Sequence, residues 1–105
     1  LTPATVEVVD NSGNIIGKND FEEQMKQVFS NIREALRSAG TDFENVVKFT
    51  TFLKRDSDIG DFMRVRKILF SEFFKTGDFP PNTLLVVSRL VHESFLIEVE
   101  TIAAL

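Results

Sequence analysis

Apolar positions along the chain change their period several times, and the changes divide it into elements. From Phe21 they recur at Met25, Val28, Phe29, Ile32 and Leu36, the three- and four-residue spacing of an amphipathic helix. Asn19 or Asp20 supplies a start signal, Glu22 or Glu23 three residues on serves as capping-box partner, and Gly40 supplies a stop. A second stripe of Phe62, Val65, Ile68, Leu69 and Phe73 opens at Asp58 and is closed by Gly77, Pro80 and Pro81. Between them, Val46 to Leu53 is dense in Val, Phe and Thr and predicts a strand buried on both faces. At the front, Ala4 to Val9 and Ile15-Ile16 flank the turn residues Asp10-Asn11-Ser12-Gly13-Asn14, which predicts a hairpin. At the end, Leu84 to Leu90 and Phe95 to Ile102 flank a four-residue connection and predict a second hairpin.

The resulting order, ββαβαββ, is that of an α+β domain with a mixed sheet. Right-handed strand-helix-strand crossovers put both helices on one face of it. The other face has no helix to cover it, yet it receives apolar side chains from Val46 to Leu53 and from Leu84 to Leu90. Closed self-association is the simplest way to bury them, and it would leave clefts between subunits.

Composition narrows the chemistry. The 105 residues, 43% hydrophobic, suit one domain with one core. No run reaches the roughly 18 apolar residues of a membrane span, and the start lacks the pattern of a secretory signal, so a cytoplasmic protein with no membrane partner is expected. Without Cys, and with one His, a thiol nucleophile, a disulfide framework and a zinc site are all disfavoured; no metal and no cofactor is expected. The net charge of -4 makes nucleic acid a poor partner. Lys54, Arg55, Arg64, Arg66 and Lys67 read as a solvated helix face in preference to a binding patch. Eleven Phe with neither Trp nor Tyr read as core or interface filler.

Few residues remain for chemistry. Alternation along the last strand sends Phe95, Ile97, Val99 and Thr101 under the helices, and Glu98 and Glu100 to the helix-free face. Two neighbouring carboxylates there suit a general base or water-holder, or else both are simply solvated or salt-bridged. In the expected hairpin Arg89 lies diagonal to Glu98 and would be its partner. His92 falls in the connection, reads as an exposed polar residue in preference to a catalytic base, and takes no role. Asn82, after Pro80-Pro81, either reaches into a cleft or satisfies its own turn.

The segments Phe21-Glu22-Glu23-Gln24, Val28-Phe29-Ser30-Asn31-Ile32, Ala39-Gly40 and Asn45-Val46-Val47-Lys48-Phe49-Thr50-Thr51-Phe52-Leu53 resemble the central signature of the Rid (YjgF-like) family. Glu72-Phe73-Phe74, Phe79-Pro80-Pro81, Ser88-Arg89-Leu90 and Ile97-Glu98-Val99-Glu100-Thr101-Ile102-Ala103 continue it in order, so the likeness spans about residues 8 to 103. The resemblance implies a chorismate-mutase-like fold and a homotrimer with a central barrel and inter-subunit clefts. It also implies cofactor-independent hydrolysis of imines or enamines to a keto acid and ammonia, Glu98 positioning the water. Asn82, Leu84, Phe70, Arg89 and Glu100 are the candidate substrate-binding residues. Two departures stand out: the family's carboxylate-gripping arginine falls on Asn82, and a pocket tyrosine falls on Phe70. The family's Ser-Gly-Gln falls on Ala4-Thr5-Val6, and the segment carrying a further pocket tyrosine has no counterpart. The alternative expectation is a non-catalytic metabolite-binding or interaction module.

Overall fold

The computed structural model describes residues 2–6 and 14–104. Strand β1 (Thr2–Val6) is followed by helix α1 (Phe21–Ser38), strand β2 (Val46–Leu53), helix α2 (Ile59–Phe73), and strands β3 (Asn82–Val86) and β4 (Ile97–Ala103). The sheet order is β1-β4-β2-β3, with β4 antiparallel to both neighbours and β3 parallel to β2. This is the mixed α+β sheet expected, with one correction. β3 and β4 do not form a hairpin: β3 stops at Val86 and bonds β2 through the α2 crossover, while β4 inserts between β1 and β2. At the front, Ile15 makes only an isolated bridge and the turn residues 10–13 of the expected hairpin lie outside the described residues.

Local chemistry sets α1. The Asp20 carboxylate accepts from the Glu23 N–H at 3.1 Å, satisfying a donor that the first turn leaves over. At the other end Gly40 takes φ +83°, the Gly40 N–H reaches the Arg37 carbonyl, and the Thr41 N–H reaches that of Leu36, a Schellman closure. Helix α2 starts differently. Asp58 sits at its N-cap without bonding the helix; the carboxylate turns back to the Arg55 guanidinium in two contacts of 2.8 and 2.9 Å.

Both helices lie on one face of the sheet. Phe49 of β2 meets Phe29 of α1 at 5.7 Å and Phe70 of α2 at 5.3 Å between ring centroids, and Phe43, Phe73 and Phe74 extend the same aromatic core. Ile97, Val99, Thr101 and Ala103 of β4 point into it. The expected inward stripe of α2 needs one correction: Ile68 is exposed and Phe70 is buried in its stead. Two steps of three residues carry position 68 about 120° round the helix from Phe62, off the buried face. The expectation that β2 is buried on both faces also fails within one chain. Val47 and Lys48 are exposed at a bulge, and Thr50 and Phe52 are half-buried on the helix-free face.

Candidate functional site

The β2 register divides the candidate residues between the two faces of the sheet. Glu98 pairs with Phe52 and Glu100 with Thr50, so both carboxylates are half-buried on the face away from the helices, two residues apart on β4. Glu98 is engaged in an interaction of its own. Asn82 pairs with Phe49 and Leu84 with Thr51, so both point to the helix side. A direct contact agrees: the Thr51 hydroxyl, fully buried, donates to Asn82 Oδ1 at 2.8 Å. The bond leaves the two Nδ2 hydrogens of the amide as its donors toward anything placed at the sheet edge.

Phe70 lies beside this pair but in the core, its ring fitted edge-on to Phe29, Phe74 and Phe79. Phe79 is partly exposed and closes the cluster from outside. Leu84 packs half-buried against the same core. Arg89 is the candidate that the fold displaces. It follows the end of β3, and its guanidinium donates to the carbonyls of Leu90 at 3.1 Å and Val91 at 3.4 Å. With no β3-β4 hairpin, the diagonal register that would bring Arg89 to Glu98 does not exist. His92 accepts from the Ser94 N–H at 3.0 Å and closes its own turn.

The structure brings together one residue that the sequence reading passed over. Gln24 is fully buried on α1; its Nε2 donates to the carbonyls of Gly17 at 3.1 Å and Ser94 at 2.8 Å, while its Oε1 accepts from the Leu96 N–H at 2.8 Å. It thereby fixes the segment that leads into β4, and with it the start of the strand that carries Glu98. The available signal was its place three residues after Phe21 and four before Val28, a polar residue on an apolar stripe.

The basic residues near α2 are mostly spoken for. Arg64 contacts Glu22 at 2.5 Å and Asp61 at 3.7 Å, and Arg55 holds Asp58. Hydrogen bonds from Arg64 and Lys26 hold the Glu22 carboxyl down at about 2. Among the described residues there is no cluster of His, Asp or Glu fit to hold a metal, and no helix is long and apolar enough to cross a membrane.

The mixed four-stranded sheet with two helices on one face superposes on solved Rid protein structures. Residues 5–105 match the family model for endoribonuclease L-PSP, and the chain belongs to that family, the Rid/YjgF family. It is 37% identical over 91 residues to a RutC family protein of Synechocystis, covering 87% of this chain and 66% of that protein. Over 95 residues it is 37% identical to the human 2-iminobutanoate/2-iminopropanoate deaminase, covering 90% of this chain and 65% of the human one. The chain thus spans about two thirds of the length of these relatives. Among solved structures, the Rid protein YyfB of Yersinia pestis superposes with a TM-score of 0.87 at 28% identity, over 100% of this chain and 77% of the other. The YjgF gene product of E. coli gives 0.82 at 26%, over 95% and 76%.

Proposed function

We propose that this protein hydrolyses small reactive imines and enamines to a carbonyl compound and ammonia, as a homotrimer with its sites in clefts between subunits. The observation that carries the reading is Glu98, a half-buried carboxylate held at a fixed register in an inner strand on the helix-free face. It occurs in a chain 37% identical to a protein named for imine deamination.

The chemistry asks for little more than a placed base. Glu98 takes a proton from water as the water oxygen adds to the imine carbon, turning C=N into a carbinolamine. That proton passes from Glu98 to the imine nitrogen to complete the carbinolamine; the hydroxyl proton then goes by way of Glu98 to the amine nitrogen as the C=O bond forms, the C–N bond breaks, and ammonia leaves. An enamine enters the same course after protonation at carbon. Positioning the water and the imine within contact distance accounts for much of such a rate enhancement.

Shared use of Glu98 and the Asn82 side of the sheet requires two copies. The two side chains leave opposite faces of one sheet, so they meet in a single cleft only where a neighbour's helix-free face approaches the edge of β3. Phe52, Leu85 and Ile102 give that face the apolar area an interface uses. Asn82 favours a second reading, a metabolite-binding module without turnover, because an amide lacks the charge of the family's arginine. That contact is worth about 1.5–3 kcal/mol.

The test is release of carbonyl product from imines generated in situ by an amino-acid oxidase, across several side chains, with Glu98→Ala alongside. Acceleration that vanishes in the variant supports hydrolysis. No acceleration with any imine refutes it and leaves the binding module.

A further inference from the structure

Arg64 reaches Glu22 near one end of the helix pair and Arg33 reaches the ring of Phe73 near the other, so α1 and α2 run parallel and end side by side. Between those ends and the short turn Phe43–Asn45 the surface dips into a depression of about 170 Å³. Its floor is aromatic. The rings of Phe43 and Phe73 stack at 4.1 Å between centroids and 9° between planes, with Phe43 buried and Phe73 half-buried. The volume is below the roughly 300–1,000 Å³ of pockets that enclose a drug-sized ligand, so the occupant is a smaller molecule.

Charge of both signs lines this floor. Arg33 lies 5.9 Å from the Phe43 centroid and 5.7 Å from that of Phe73. Its nearest carboxylate, Asp42 at 3.4 Å, already accepts from the Phe43 N–H at 2.8 Å and from Arg37 at 3.2 Å. One carboxylate thus serves two guanidiniums, and Arg33 keeps donors for an anion. Glu44 and Glu72 supply the opposite sign. Both are exposed, and among the described residues neither forms an ion pair, nor does Lys75, two residues past the end of α2. Glu72 occupies the last turn of α2, where the helix dipole is negative and no basic residue answers it. A cation is favoured there.

We propose that this depression binds a free α-amino acid, with its ammonium at Glu44 and Glu72, its carboxylate at Arg33 and an apolar side chain on the ring of Phe73. Both charges of the ligand count, because the lining offers a counterion for each. The site lies on the helix side of the sheet, away from the face that carries Glu98, and stands whether or not the protein hydrolyses imines.

The experiment is NMR titration of the intact protein with L-leucine, with its amide, which lacks the carboxylate, and with 4-methylpentanoate, which lacks the amine. L-leucine should shift the amide signals of Phe43, Glu44 and Phe73, and each analogue should bind about 10-fold more weakly. The double variant Glu44→Gln/Glu72→Gln, which alters two exposed side chains, should weaken L-leucine about 10-fold and leave 4-methylpentanoate unchanged. Arg33→Met should lower L-leucine to the affinity of its amide; because Arg33 packs on two rings, the glutamine variant decides alone if that protein does not fold. Glu98→Ala should bind L-leucine as the wild type does. The proposal is overturned by no binding of L-leucine at millimolar concentration, by equal affinity for L-leucine and both analogues, by undiminished binding in the glutamine variant, or by loss of binding in Glu98→Ala.

Discussion

Replacing Gln24 by Leu removes three hydrogen bonds from the inside of the molecule without changing the volume much. The substitution leaves the Leu96 N–H and the carbonyls of Gly17 and Ser94 without the partner they now share. The bond to Leu96 is buried, and a buried group left unsatisfied costs about 1–3 kcal/mol. The other two contacts are only part-buried, so water can replace them in part, and the sum should be about 3 kcal/mol. For a domain of this size each kcal/mol lowers Tm by about 4–8 °C, so Gln24→Leu should melt roughly 12–24 °C below wild type. Gln24→Glu separates the contributions, since it keeps the acceptor for the Leu96 N–H but turns carboxylate oxygen toward two carbonyls. It should also be destabilised. The assay is thermal and urea unfolding followed by circular dichroism at fixed protein concentration, because assembly would couple Tm to concentration. A Gln24→Leu protein within about 0.5 kcal/mol of wild type would refute the reasoning, since that is the range of a surface change.

Three further outcomes follow from particular contacts. Asp20→Ala removes the cap on α1 and should cost about 1 kcal/mol by urea unfolding, with Asp20→Asn close to wild type. Gly40→Ala meets no atom within 4 Å of its new Cβ, so its cost is only the left-handed backbone, about 1 kcal/mol, and a much larger loss would contradict that accounting. Glu22 has its folded value depressed to about 2 from an ordinary 4.5, so its contribution is complete above about pH 4.5 and is lost as pH falls toward 2. The stability gap between wild type and Glu22→Gln, measured by urea unfolding, should narrow over that window and stay constant above it; a gap independent of pH would sink the ion-pair account.

Where a signal was local, the sequence carried it. Asp20 and Gly40 mark the ends of α1 because capping is a matter of one side chain and one backbone angle, and both are visible as residue types. Glu98 could be put on the helix-free face because alternation along a strand needs no knowledge of its neighbours. Strand partnership is not local. The segment after Pro81 pairs in parallel with β2, yet its short connection to the last strand reads the same as that of a hairpin, and Arg89 was drawn toward Glu98 by that reading. Asn82 was legible as a residue but not as a geometry: that its Oδ1 accepts from Thr51, and that it faces away from Glu98, depends on the register with β2. Gln24 was hard to see for the same reason, as a polar side chain whose role depends on contacts to other elements, Gly17 and Ser94.

The claim at the centre of the account is a site that Glu98 and the Asn82 edge share across two copies. Its most direct test is subunit mixing between Glu98→Ala, which lacks the base, and Asn82→Trp, which fills the edge, each inactive in imine hydrolysis on its own. After joint unfolding and refolding, a site between neighbours in a closed ring should find both intact halves about one time in four, so the mixture should regain roughly a quarter of wild-type turnover. A site within one chain has no such route, because every chain carries one lesion. A mixture that forms the wild-type assembly yet remains as inactive as its parents would contradict the account.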